Sequence, residues 1–175
     1  WLSRKEDIKA KVKALIMMQL NTIEVSGRNL VVADVIVRYI IKTLKRDLEL
    51  LKKEGRDSFE ILGREIRVAG EFCGQRFKGF IDRLDSFKDE QARVVDYKTG
   101  KVLEDDENIH DGNAEEIAEK IFNPDMKNWP KIALQFYIYD MLVQSRTEVR
   151  GREICNCVYS TAHLFKEPPV TVPMN

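Results

Sequence analysis

The stretch Val94-Val95-Asp96-Tyr97-Lys98-Thr99-Gly100, read with Gly79-Phe80-Ile81-Asp82-Arg83-Leu84-Asp85 before it, decides how this chain folds. Both are rich in β-branched and aromatic residues and read as strands. Asp96 and Lys98 alternate onto one strand face, Val95 and Tyr97 onto the other. Acid and base on a core strand are unusual, because Asp and Lys are rarely buried unless paired or liganded. Asp82 lies near the end of the neighbouring strand, on the face it shares with Phe80 and Leu84, and a hairpin brings it toward Asp96. Two carboxylates held together repel unless something positive lies between them, and a divalent cation is the usual resolution. Carboxylates, a main-chain carbonyl and water make a hard-oxygen site suited to Mg²⁺ or Mn²⁺. A lysine beside such an ion orients or deprotonates a water, or offsets the charge of a phosphate.

Working outward, Ser3–Leu20 reads as a helix, with Ser3 as its cap, Glu6 three residues later, and Ile8, Val12, Leu15, Ile16 and Gln19 at helical spacing. Gly27 falls in a break over 21–29. A second helix runs from about Leu30 to Glu54, with Val37, Ile40, Ile41, Leu44, Leu48 and Leu51 as its apolar stripe and Gly55 as its stop. Phe59–Phe72, Arg76–Phe87 and Ala92–Thr99 form a three-strand meander with turns at Cys73-Gly74-Gln75 and Lys88-Asp89-Glu90. Residues 101–128 are an acidic insertion with a short helix at Ala114–Phe122. Pro130 opens a helix to about Gln144, and Glu148–Ser160 is the last strand. The order predicts an α/β fold, a mixed central sheet flanked by helices. On the last helix Gln135 and Tyr139 share a face, beside a buried stripe of Ile132, Phe136, Tyr139 and Val143. Gln135 is thereby aimed at the sheet, where it requires polar partners.

These residues carry a resemblance. Ile81-Asp82 followed by Asp96-Tyr97-Lys98 resembles the signature of the PD-(D/E)xK nucleases, whose restriction-endonuclease-like core has this element order. The fuller set, Gly79…Ile81-Asp82-Arg83…Asp85, Asp96-Tyr97-Lys98-Thr99-Gly100 and Gln135…Tyr139, resembles the RecB/AddB-like branch, over about Leu30 to Ser160. The resemblance implies a metal-dependent DNA exonuclease, the nuclease domain of a recombination-repair helicase–nuclease, with DNA as substrate and a helicase domain or subunit as partner. It implies Asp82, Asp96 and the Tyr97 main-chain carbonyl as ligands of Mg²⁺ or Mn²⁺, Lys98 as the catalytic lysine, and Gln135 and Tyr139 as residues that position site groups or DNA. Glu65, on the first strand, matches a position where the family often has an acid, and is a further candidate ligand. Asp85 reads by parity as a salt-bridge partner, of Arg83. Other readings are a catalytically silent DNA-binding or scaffolding module of the same fold, and a free-standing or CRISPR-associated RecB-like exonuclease. Residues 30–56 hold no His where the family often has one. The three cysteines do not match the four-cysteine spacing of some AddB-type domains, so no iron–sulfur cluster is expected.

Composition sets the frame. The 175 residues, 43% hydrophobic and 33% charged, suit one globular domain, which the resemblance makes a single nuclease domain. Its parts are an N-terminal helix and linker over 1–29, a core over 30–160, and the acidic insertion. Equal numbers of basic and acidic side chains, 29 each, argue against a wholesale electrostatic nucleic-acid binder. Residues 1–56, however, carry 13 basic and 7 acidic side chains, and residues 101–128 carry 3 and 9. The basic start is expected to face DNA or a partner domain, and the insertion to rim the site. Cys73, Cys155 and Cys157 are too few and ill-spaced for a disulfide framework or a zinc site, and a reducing cytoplasm fits. His110 and His163 belong to no motif. No apolar run is long enough to cross a membrane. The opening at Trp1 and the end on Glu167-Pro168-Pro169 and its successors read as a domain cut from a longer protein.

Overall fold

The computed structural model describes residues 2–100, 102, 113–127, 129–161 and 164. His110, His163 and residues 101, 103–112 and 128 of the acidic insertion lie outside the described residues. Those described fall into two compact units, one up to Lys53 and one from Glu54.

In the first unit, α1 (Lys5–Leu20) and α2 (Arg28–Lys53) form a helical hairpin around Ile8, Val12, Ala33 and Val37. The expected cap differs. Helix α1 starts after Arg4, with no side-chain cap, and Arg4 instead pairs with Asp7 at 2.6 Å, an ion pair that holds the first turn without Ser3. Leu15, expected on the buried stripe, is 56% exposed. A two-helix hairpin has only one contact line, so a stripe wider than that line stays in solvent.

The second unit is the sheet and its helices. Strands β1 (Glu60–Phe72), β2 (Gln75–Ser86) and β3 (Gln91–Lys98) form an antiparallel meander, and β4 (Glu153–Ser160) adds in parallel to β3. A parallel neighbour requires a crossover. It contains α3 (Ala114–Phe122) and α4 (Lys131–Val143). The last strand begins at Glu153 rather than Glu148, because Thr147–Val149 close a 3₁₀ turn and Gly151, at φ 76°, turns the chain into the sheet. This is the mixed, helix-flanked α/β sheet expected.

Helix α4 lays Ile132, Ala133, Phe136, Tyr139 and Val143 on one face of the sheet, against Ile66, Val68, Ile81, Leu84 and Val94. Gly79 is where backbone and helix come closest. A Cβ there would lie 2.6 Å from Cε1 of Tyr139. A strand glycine often marks such a close approach.

Strict alternation sets Phe80, Asp82 and Leu84 on one strand face. Instead Phe80 is 58% exposed while Ile81 and Leu84 are both fully buried in the same core. The alternation of β2 therefore breaks between Ile81 and Leu84. Opposite the break, β1 carries Glu65 at φ 49° and a register shift between Ile61 and Gly63. A left-handed residue inside a strand reverses the pleat locally, as β-bulges do.

Candidate active site

The break in β2 falls where β2 leaves β3. The β2–β3 ladder runs from Asp85↔Arg93 to Arg83↔Val95 and stops. One step further the same register sets Asp82 opposite Asp96. On its other side Asp82 lies between the pairs Arg64↔Arg83 and Ile66↔Ile81, opposite Glu65. Three strands thus bring Glu65, Asp82 and Asp96 into one row. Tyr97 N–H turns to Asp82 and donates to its Oδ2 at 2.8 Å. In a strand the N–H and C=O of one residue point to the same side, so the Tyr97 carbonyl shares that side.

Helix α4 completes the cluster. Gln135 Nε2 donates to Asp96 Oδ1 at 2.9 Å and to the Tyr139 hydroxyl at 3.0 Å, and Gln135 Oε1 accepts from Lys98 Nζ at 2.8 Å. The Tyr139 hydroxyl donates to the Phe80 carbonyl at 2.8 Å, tying the helix to the strand next to Asp82. Lys98 Nζ also lies 2.8 Å from Asp96 Oδ2, an ion pair that is off the angle of a hydrogen bond and leaves that buried oxygen without one. Asp96 is buried, Lys98 and Gln135 half-buried. The structure therefore gathers Asp82, Asp96, Lys98, Gln135 and Tyr139 into one network. Glu65 stands at its edge, exposed. Among the described residues no three acid, imidazole or thiol groups form a cluster tight enough to hold an ion.

The electrostatics favour a cation. Burial, foremost, raises the Asp82 carboxyl above its ordinary value, and the charges of Asp96 and Glu65 push it the same way, against the Tyr97 N–H and Lys98. Asp96 Oδ2, ion-paired with Lys98 but accepting no hydrogen bond, the Asp82 carboxylate and a carbonyl on the same side form a hard-oxygen donor set of the kind a divalent ion takes. The residues present fit such an ion.

Behind the cluster, Asp85 is fully buried between two guanidinium groups. Arg83 Nε approaches its Oδ2 at 2.7 Å, and Arg93 Nε and Nη2 donate to its two oxygens at 2.9 Å each. The Arg83 guanidinium lies 5.5 to 5.8 Å from the ring centres of Phe59, Tyr97 and Tyr159. Tyr97 and Tyr159 stack at 5.5 Å. The expected Asp85–Arg83 pair is present. Arg93 was not expected there; its place directly opposite Asp85 follows only from the register. The side chain of Tyr97 is thus packed on the cation next in sequence to Asp82 while its N–H holds Asp82. Cys73, Cys155 and Cys157 are joined in no disulfide, and burial pushes Cys155 up to about 11, as expected of an unreactive strand cysteine.

The sequence matches the family model of the PD-(D/E)XK nuclease superfamily over residues 6–162. The chain belongs to that superfamily. Among curated proteins no sequence matches closely enough to count as a relative. The superfamily assigns a nuclease with DNA as substrate, and its members typically use divalent metal ions. No helix among the described residues is long and apolar enough to cross a membrane.

Proposed function

We propose that this chain is an Mg²⁺- or Mn²⁺-dependent DNA exonuclease, the nuclease domain of a cytoplasmic recombination-repair helicase–nuclease in which a helicase domain or subunit feeds it DNA. The observation that carries the chemical part is the Lys98 ammonium, held between Asp96 Oδ2 and Gln135 Oε1 beside two carboxylates. Asp82, Asp96 and the Tyr97 carbonyl would hold the ion, with Glu65 reached from β1. When bound there, a divalent ion would supply Lewis-acid polarisation of the scissile phosphate and a lower pKa for bound water. Lys98 faces the phosphate, where its charge offsets the negative charge that grows in the transition state, and orients the attacking water. Gln135 fixes Lys98 and Asp96 at once, and Tyr139 fixes Gln135 against the Phe80 carbonyl, so the site is set before substrate arrives. The RecB/AddB-like assignment rests on the ordered motifs and on the Gln135–Tyr139 pair lying in the site.

The test is cleavage of end-labelled DNA with Mg²⁺ or Mn²⁺. Asp96→Ala and Lys98→Ala are each expected to lower the rate by at least a hundredfold, while Mn²⁺ calorimetry registers binding to the parent chain and to Lys98→Ala but not to Asp96→Ala. Cleavage that survives in both variants defeats the assignment.

A further inference from the structure

We infer that Lys131, braced by Trp129, grips the DNA phosphate next to the one that is cut; this rests on the nuclease reading and deepens it by naming a substrate contact outside the acid and lysine cluster. Lys131 is the first residue of α4. Gln135 and Tyr139 follow it four and eight residues on, so the three lie along one edge of the helix. That edge is the one turned to the site: from it Gln135 holds Asp96 and Lys98, and Tyr139 reaches the Phe80 carbonyl. The other edge of the buried stripe carries Asp140, which bonds Asn156 on β4. Lys131 is therefore on the side of the cluster, one helical turn out from Gln135 and about 6 Å from it along the axis.

Three properties suit it to an anion from outside the chain. Lys131 is exposed, whereas Lys98 is half-buried and engaged with Asp96. Among the described residues its ammonium pairs with no carboxylate and lies instead 5.8 Å from the centre of the Trp129 ring. It also stands where the helix dipole repels a cation, and the first turn of α4 holds no acid to offset it. A lysine that weakens its own helix and meets no acid in the fold is placed to take a bound anion. Trp129, half-buried, confines the long side chain, so less freedom is lost when the anion is gripped. On the nuclease reading the scissile phosphate sits at Lys98. A strand that leaves the cluster past Gln135 meets Lys131 as the next cation, so the anion is the adjoining phosphodiester.

The test uses labelled oligonucleotides that carry a neutral methylphosphonate at one linkage at a time, with binding to the 175-residue chain read by fluorescence anisotropy in EDTA so that nothing is cut. The parent is expected to lose about two- to fivefold in affinity when one particular linkage is neutralised. Lys131→Gln should lose the same amount on unmodified DNA and nothing further at that linkage, and Lys131→Arg should bind like the parent. The slope of log affinity against log salt should be shallower in Lys131→Gln by roughly 0.7–0.9. Trp129→Leu should lose part of the affinity and Trp129→Phe keep it. Because Lys131→Gln takes a cation from a helix N-terminus, it should melt at or above the parent's temperature, which a lysine kept for stability would not do. In cleavage with Mg²⁺ or Mn²⁺ its KM is expected to rise by more than its kcat falls. A Lys131→Gln chain that binds unmodified DNA like the parent, or that keeps the parent's sensitivity at every linkage, overturns the inference. Metal-dependent cutting without a Lys131 effect on binding leaves the nuclease and removes this contact, and Lys131-dependent binding without any cutting does the reverse.

Discussion

At the scale of single residues, the site depends on atoms that do no chemistry themselves. Gly79 is the clearest case. The Tyr139 ring occupies the space a Cβ would need, and that ring positions the hydroxyl shared by Gln135 and the Phe80 carbonyl. Gly79→Ala must push the ring or the strand aside, at a cost of about 1–3 kcal/mol for overpacking. The expected result is a lower denaturation midpoint and a larger loss in kcat than in KM, because the Gln135–Lys98 alignment loosens while the rest of the substrate contacts remain. Unchanged stability and rate would show that the close approach carries no strain. The glycine itself was legible in the motif; its reason was not, since nothing in the order of residues says which helix side chain arrives above it. Glu65 teaches the same lesson from the backbone. Its type marked it as a candidate, but the left-handed φ that reverses the pleat beside Asp82 is a conformation no strand pattern announces.

Among elements, the contact of α4 with β4 adds a pH-sensitive pair. Asp140, on α4 beside Tyr139, accepts from Asn156 Nδ2 at 2.7 Å, while Asp140 Oδ1 and Asn156 Oδ1 are buried without donors. Burial outweighs that hydrogen bond and pushes the Asp140 carboxyl up to about 6. Folded protein therefore binds a proton more tightly than unfolded chain does, so this group's contribution is fullest below about pH 4 and is lost as pH rises through about 6. Asp140→Asn supplies an N–H in place of the missing proton. Denaturant unfolding between pH 4 and 8 is expected to show the variant more stable above pH 7 by on the order of 1–3 kcal/mol, with the advantage gone near pH 4. An equal difference at both pH values would assign the effect to packing instead. Element order and helix α4 were legible because apolar periodicity and Pro130 mark them. The Asp140–Asn156 pair was not, because it joins residues through a parallel register that a crossover of uncertain length sets.

For the whole molecule, each unit has its own core. The cluster of Ile66, Ile81, Leu84, Val94 and Phe136 lies wholly within 54–175, as does every residue of the candidate site. Residues 54–175 expressed alone are expected to unfold cooperatively and to keep Mn²⁺ binding; a non-cooperative transition or loss of the ion would show that the helical hairpin is needed to complete the fold. The unit boundary also coincides with the charge asymmetry. Residues 1–53 carry 12 basic and 6 acidic side chains, and 54–175 carry 17 and 23. A neutral total thus joins a basic unit to an acidic one, which is why the sum misleads about a DNA partner. The sequence by itself determined the superfamily, the order of elements along the chain and the identity of the acids, lysine, glutamine and tyrosine, because periodicity and residue chemistry are local properties. Only the tertiary structure decided how they meet: where β2 parts from β3, which oxygen of Asp96 faces Lys98, why Arg93 shares Asp85, and that Phe80 stands out from the sheet. Those depend on register, pleat reversal and helix packing, which join residues far apart in the chain and are settled only when all the strands pair at once.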